Sequence, residues 1–205
     1  YGKKNKNGAY EIITALNSFH GRTMMNVAAT GQPHYQELFE PIPSGFRHVP
    51  YNDLDEVKKA TRDNTVAVMI EPVQGEGGVN VPSESYLHGL RSWCDENNML
   101  LIFDEVQTGL GRLGTLFGYE SFGVEPDVMT LAKGLGGGVP IGAFLAKNSA
   151  CAFDPGDHGS TFGGNPLTCA AAHAATKYLI ENDVVKNAAR MGEYLGEGLR
   201  RLGDN

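Results

Sequence analysis

The sequence predicts an α/β fold: a mostly parallel sheet flanked by helices. Three observations carry that expectation. Short apolar, β-branched runs recur along the chain, among them residues 11–16 (EIITAL), 65–70 (TVAVMI) and 128–132 (VMTLA). Segments with apolar residues at helical spacing separate such runs, and strand–helix alternation sets successive strands side by side in one direction. Several runs end in a charged residue or a glycine-rich loop, and in open α/β sheets ligands bind at the carboxyl ends of strands.

The elements follow in order. Residues 11–16 are short and β-branched, hence a strand. Asn17 to Arg22 is a loop that opens a short helix over residues 23–29. Residues 31–44 carry three prolines, a glycine and scattered aromatics, which predicts a surface loop. Residues 46–50 make a weak strand. Asn52 or Asp53 can cap a helix running to about Thr61. The run 65–70 is a buried strand ending at Glu71-Pro72, followed by a loop over 74–78. Ser83 can cap a helix reaching Asn97, with Leu87, Leu90 and Cys94 on one face. Residues 99–103 form an apolar strand that ends in Asp104 and Glu105, and the run 128–132 ends in Lys133 and glycines. Residues 141–146 give a further strand, 159–165 a polar glycine-rich loop and 168–180 an alanine-rich helix. A final amphipathic helix uses Val184, Val185, Ala188, Met191 and Leu195.

No repeat, low-complexity tract or internal linker interrupts the chain, so residues 1–205 read as one domain with a sizeable core. Seventeen basic against twenty-four acidic residues leave a net charge of −7, and no dense basic patch appears, which argues against nucleic acid as a partner. The three cysteines lack CxxC spacing, which suits reduced thiols in a cytoplasmic setting. No apolar run approaches the length of a membrane span. The chain opens on YGKKNKNGAY, without Met, and stops on a helix, so the expectation is a piece of a longer protein.

Several constellations bear on chemistry. A lysine in an apolar pocket is costly to keep charged, so Lys133 at the end of a buried strand is a candidate nucleophile. The competing reading is a surface lysine that closes the strand. Asp104 at a buried strand end needs a cationic partner, and a protonated pyridine nitrogen is one. It can equally cap the next turn or pair with Arg112. Asp104 and Glu105 are adjacent, so their side chains point to opposite faces and make a poor acid/base pair. The glycines of residues 109–114 match GxGxxG, but Asp104 to Thr108 separate them from the strand and the following TLFGYESFG is a poor helix, so a dinucleotide site is not expected. Glu71 and Glu76 have no histidines or further acids spaced for a metal. His20 and His158 lie in glycine-containing loops, and Ser160 and Thr161 could present hydroxyls and amides to an anion.

Taken together, FHGRT (19–23), EPVQGEGG (71–78), DEVQTGLGR (104–112), LAKGLGGG (131–138) and HGSTFGGNPL (158–167) resemble the class III, fold-type I pyridoxal-phosphate aminotransferases, most of all the acetylornithine aminotransferases. The pieces stand in family order across almost the whole chain. The resemblance implies a large, cofactor-binding domain over residues 1–205, with the family's N-terminal segment and C-terminal small domain missing. It implies pyridoxal 5'-phosphate as cofactor, carried by Lys133 as an imine, with Asp104 bonded to its ring nitrogen. Val106 and Phe19 would cover the two ring faces, and Gln107 would reach the phenolic oxygen. Thr161 matches a residue that binds the phosphate from the neighbouring subunit, which implies a homodimer. Arg22 and Ser160 match residues that touch acylated ornithine. Glu76 matches a glutamate that pairs with an arginine of the small domain. The implied reaction moves an amino group from N-acetylornithine or a close acyl-ornithine to the oxo acid 2-oxoglutarate, in arginine biosynthesis. Ornithine, succinylornithine and 4-aminobutyrate aminotransferases, a glutamate-semialdehyde aminomutase, and an inactive truncated scaffold remain the alternatives.

Overall fold

The computed structural model describes residues 1–203. Six strands form one sheet: β1 Glu11–Ala15, β2 Phe46–Val49, β3 Thr65–Ile70, β4 Leu100–Asp104, β5 Val128–Leu131 and β6 Ala143–Ala146. Their order is β2-β1-β3-β4-β5-β6. The first five run parallel, and β6 lies antiparallel to β5 on the edge, with Met129 opposite Leu145. The chain leaves β1 towards β2 and returns to β3 on β1's other side. Between β1 and β3 the sheet therefore has a topological switch point, where loops part and leave a crevice.

Among the described residues, eight α-helices complete the layers: α1 Gly2–Asn5, α2 Met24–Ala29, α3 Pro33–Gln36, α4 Leu54–Ala60, α5 Glu84–Glu96, α6 Gly118–Phe122, α7 Pro166–Glu181 and α8 Val184–Gly203. Local chemistry sets their starts. The Asp53 carboxylate accepts from Glu56 N–H (3.0 Å) at α4, and Ser83 Oγ accepts from Tyr86 N–H (3.3 Å) at α5. Asn52, the other candidate cap, does something else. Its Oδ1 accepts from Ser83 N–H and Oγ, tying the entry of α5 to the entry of α4.

The apolar core lies where α5 packs on β3 and β4. Leu87, Leu90 and Cys94 meet Val68, Ile70, Leu101 and Phe103, and none of the seven exceeds 1% exposure. Each large side chain among them stabilises the fold by roughly 1.5–3 kcal/mol. Burial also pushes the Cys94 thiol up to about 12. The C-terminal pair differs: α8 has no buried residue, although Met191, Leu195, Leu199 and Leu202 share it.

Two expectations need correction. Residues 31–44 are not simply surface loop, because α3 and a 3-10 turn over Glu37–Phe39 lie there. Pro33 sits in the first turn of α3, where a missing N–H costs nothing, so a residue read as a breaker starts a helix. The stretch after Gly114 does form a helix, α6, because a buried carboxylate holds its first amides.

Candidate active site

The ends of four parallel strands, β1, β3, β4 and β5, supply the site. One small cavity there is lined by Phe19, His20, Gly21, Glu71, Glu76, Asp104, Val106, Gln107 and Lys133. Residues from four separate motifs thus converge at the switch-point edge of the sheet. Lys133 and Asp104, 29 positions apart in sequence, face the same space.

Asp104 closes β4 and is 5% exposed. Its Oδ1 accepts from Val106 N–H (3.1 Å) and Thr130 Oγ1 (3.2 Å), and its Oδ2 faces His20 Nδ1 at 2.8 Å. The turn-capping expectation is therefore met by Val106 N–H, whereas the Arg112 pairing is not formed among the described contacts. The His20 ring is fully buried, and its Nε2 has no hydrogen-bond partner. An ionised Asp104 can only accept, so the proton of a neutral His20 sits on Nδ1. Sequence reasoning placed His20 in a polar loop and gave it no role. Only the fold, by bringing the ends of β1 and β4 together, sets it against Asp104.

Glu71, at the end of β3, is also buried. Its carboxylate accepts from Phe19 N–H (3.1 Å) and Gly75 N–H (3.4 Å), so it joins the two loops that wall the cavity. Loss of solvent raises its carboxyl above the usual range, against those two amides. A Cβ at Gly75 would push the Gln107 amide out of its present position. Gln74 is fully buried and donates to Leu16 C=O (2.8 Å), which fastens the same loop to the end of β1.

Glu105 goes the other way, as the alternation predicts. It accepts from Gly118 N–H (2.6 Å), Tyr119 N–H (2.7 Å) and Thr108 Oγ1 (3.0 Å), so its work is structural. Burial raises its carboxyl, and the three donors oppose that.

Lys133 departs from its expected burial: it is exposed, with Nζ donating to Gln107 Oε1 at 3.0 Å. The reason is geometric. β5 ends at Leu131, and the 3-10 turn Lys133–Gly136 lifts the lysine over the rim of the sheet. Its φ is +43°, a left-handed conformation that a side chain with a Cβ adopts at a cost of about 1–2 kcal/mol. Strain of this kind concentrates at functional positions.

The remaining candidates divide. Arg22 is exposed, with its guanidinium 4.1 Å from the Tyr35 ring centroid and 5.4 Å from that of Phe19. Glu76 accepts from Gln32 Nε2 (2.6 Å) and Tyr35 OH (2.7 Å), which hold its carboxyl below the usual range. Ser160 and Thr161 are exposed and do not line the cavity; Ser160 Oγ instead accepts from Gly163 N–H (3.0 Å). No group of three or more potential metal ligands occurs among the described residues. No helix among them is long and apolar enough to cross a membrane.

The aminotransferase class-III family profile matches residues 1–205. The chain is 57% identical over 192 residues to the acetylornithine aminotransferase of Gloeobacter violaceus, covering 94% of this chain and 48% of that protein. It is 54% identical over 196 residues to the acetylornithine aminotransferase of Methanothermobacter thermautotrophicus, covering 95% and 50%. It therefore spans about half the length of these curated relatives. Among solved structures, an ornithine aminotransferase from Toxoplasma gondii with pyridoxal phosphate at partial occupancy superimposes with a TM-score of 0.87, at 38% identity, covering 94% of this chain and 46% of that one.

The chemistry of the lining suits the ring of such a cofactor: a buried carboxylate, Asp104, and the Lys133 amine share it with the apolar side chains of Phe19 and Val106.

Proposed function

The chain belongs to the class-III aminotransferases, and from that premise we propose that the whole protein is a pyridoxal-phosphate-dependent aminotransferase acting on N-acetylornithine or a close acyl-ornithine, with 2-oxoglutarate as acceptor, in arginine biosynthesis. One observation carries the reading: Lys133 and the His20-bonded Asp104 line a single cavity at the strand ends. Residues 1–205 are then its cofactor-binding large domain, and its setting is cytoplasmic.

When bound, the cofactor supplies the electron sink for the carbanion that deprotonation leaves. The protein's residues do the rest. Asp104 would hold the cofactor's ring nitrogen, and shielding from water would strengthen that contact. His20, Thr130 and the Val106 amide hold the Asp104 carboxylate in place for it. Lys133 would act as the general base that takes the proton from the amine-bearing carbon of the substrate, with Gln107 steering its Nζ. Phe19 and Val106 exclude water from the ring faces. Arg22 contacts the substrate, Glu76 pairs with an arginine of the small domain, and Ser160, next to Thr161, reaches the substrate from the second copy.

The lining holds three carboxylates, Glu71, Glu76 and Asp104, against one lysine, a poor environment for a phosphate. The phosphate is held outside this cavity, and Thr161 of a second copy is the residue the reading assigns to it. That makes the working unit a homodimer with shared sites.

The test uses the holoenzyme. Replacing Lys133 with Ala should abolish the visible absorbance of the loaded protein and slow turnover by about a thousandfold or more. Turnover retained within roughly tenfold of wild type would remove Lys133 from the chemistry. A half-reaction panel of N-acetylornithine, N-succinylornithine, ornithine and 4-aminobutyrate, read by cofactor bleaching, settles the amine. Turnover without any oxo acid would instead favour a mutase.

A further inference from the structure

Tyr35 on α3 touches three of the residues assigned above, and nothing assigns it a role of its own. Its ring lies 5.7 Å from that of Phe19 in an edge-on contact at 77°. The Arg22 guanidinium stands over the Tyr35 ring at 4.1 Å. Its hydroxyl donates to Glu76 Oε1 at 2.7 Å. His34 packs on the Tyr35 ring at 3.9 Å, and Gln32 takes the second Glu76 oxygen.

Arg22 and Glu76 carry opposite charges close enough for the guanidinium to favour the ionised carboxylate, yet they form no ion pair in the structure. An exposed arginine and glutamate this close would ordinarily neutralise each other. Here the phenol stands between them. Its face takes the guanidinium through the ring quadrupole, and its hydroxyl takes the carboxylate. Each charge is anchored to neutral partners, so neither cancels the other.

We propose that Tyr35 is a positioning residue that holds Arg22 and Glu76 apart, keeping Arg22 for the substrate and Glu76 for an arginine of the small domain. The proposal rests on the aminotransferase reading. It explains why an aromatic stands in a stretch whose composition looks like plain surface loop. It also predicts that the residue acts on substrate recognition rather than on the chemistry at Lys133, because Tyr35 does not line the cavity that holds the lysine.

Two variants of the holoenzyme test it. Tyr35→Phe keeps the ring under Arg22 and removes only the hydroxyl. It should raise KM for the amino donor about tenfold, the scale of one hydrogen bond to a charged group, with kcat within about twofold. The pH profile adds a readout that a purely structural role would not move. Gln32 and Tyr35 both hold the Glu76 carboxyl low, with His34 and Arg22 as the other charged or titratable neighbours acting in the same direction. Loss of the hydroxyl should therefore shift the acid limb of kcat/KM to higher pH. Tyr35→Ala removes the ring as well, and a crystal structure of it should show Arg22 paired directly with Glu76. Unchanged KM and an unmoved acid limb in Tyr35→Phe, with the visible absorbance intact, would overturn the proposal even if Tyr35→Ala fails to fold. A wild-type protein that takes up no cofactor would sink the aminotransferase reading itself, and this proposal with it.

Discussion

The two sides of the β4 exit make an instructive contrast. Asp104 and Glu105 are neighbours, both carboxylates, and 5% and 1% exposed. On the Glu105 side the oxygens meet three donors, two of them the first amides of α6. An anion at helical amides is a complete local solution to burial, and nothing there invites a ligand. On the Asp104 side one oxygen meets an amide and a hydroxyl, and the other meets an imidazole whose far nitrogen has no partner. That side opens on a cavity with an exposed, strained lysine. Charge buried with full satisfaction serves stability; charge buried beside a cavity is left available to a ligand.

Substitutions can break or sharpen this contrast. The largest effect belongs to Asp104→Asn. It should slow transamination by roughly 10²–10³-fold, the usual scale for losing one preorganised electrostatic contact, and weaken cofactor retention. Its melting temperature should fall by less than that of Glu105→Ala, because the new amide can donate to a His20 that has moved its proton to Nε2, leaving one N–H unpaired rather than three donors. A large loss of stability with catalysis intact would invert the assignment of the two sides.

Glu105→Ala should do the reverse. It leaves three donors without an acceptor and should cost about 3 kcal/mol by urea denaturation, with kcat of the remaining folded protein within a few-fold of wild type. Retained stability would mean that water replaces the carboxylate, and that α6 does not depend on it.

The smallest effect concerns Cys94 in the packed core. Its thiol is raised to about 12, so it should resist alkylation at pH 8–9 until the protein is unfolded, as thiol counting would show. The sign follows from linkage. The folded state keeps a proton that the unfolded chain loses near its ordinary thiol value of about 8.5, so this contribution to stability falls as pH rises from there towards about 12. Rapid alkylation at pH 8 would show that the α5 face opens locally.

Much of the fold was legible because its signals are local. β-Branched runs gave β1, β3 and β5 to within a residue or so, and the side chains of Asp53 and Ser83 marked the helix starts they do cap. The alternation rule alone separated Asp104 from Glu105. The motif resemblance brought Phe19, Val106, Gln107 and Lys133 to one site, and the cavity holds all four. Three things were not legible. His20 gained its partner from a strand more than eighty positions away. Tyr35 looked like an aromatic in a proline-rich loop until α3 turned it towards Arg22 and Glu76. Lys133 was expected to be buried, and the turn after β5 instead sets it on the rim.

The sequence by itself determined the α/β class, the strand ends that bear chemistry and the family, because periodicity, caps and motifs are properties of neighbouring residues. Tertiary structure alone decided that His20 meets Asp104, which carboxylates are spent on the fold, and that Tyr35 touches both Arg22 and Glu76. Those outcomes depend on distances between segments far apart in the chain, and only the packed sheet sets such distances.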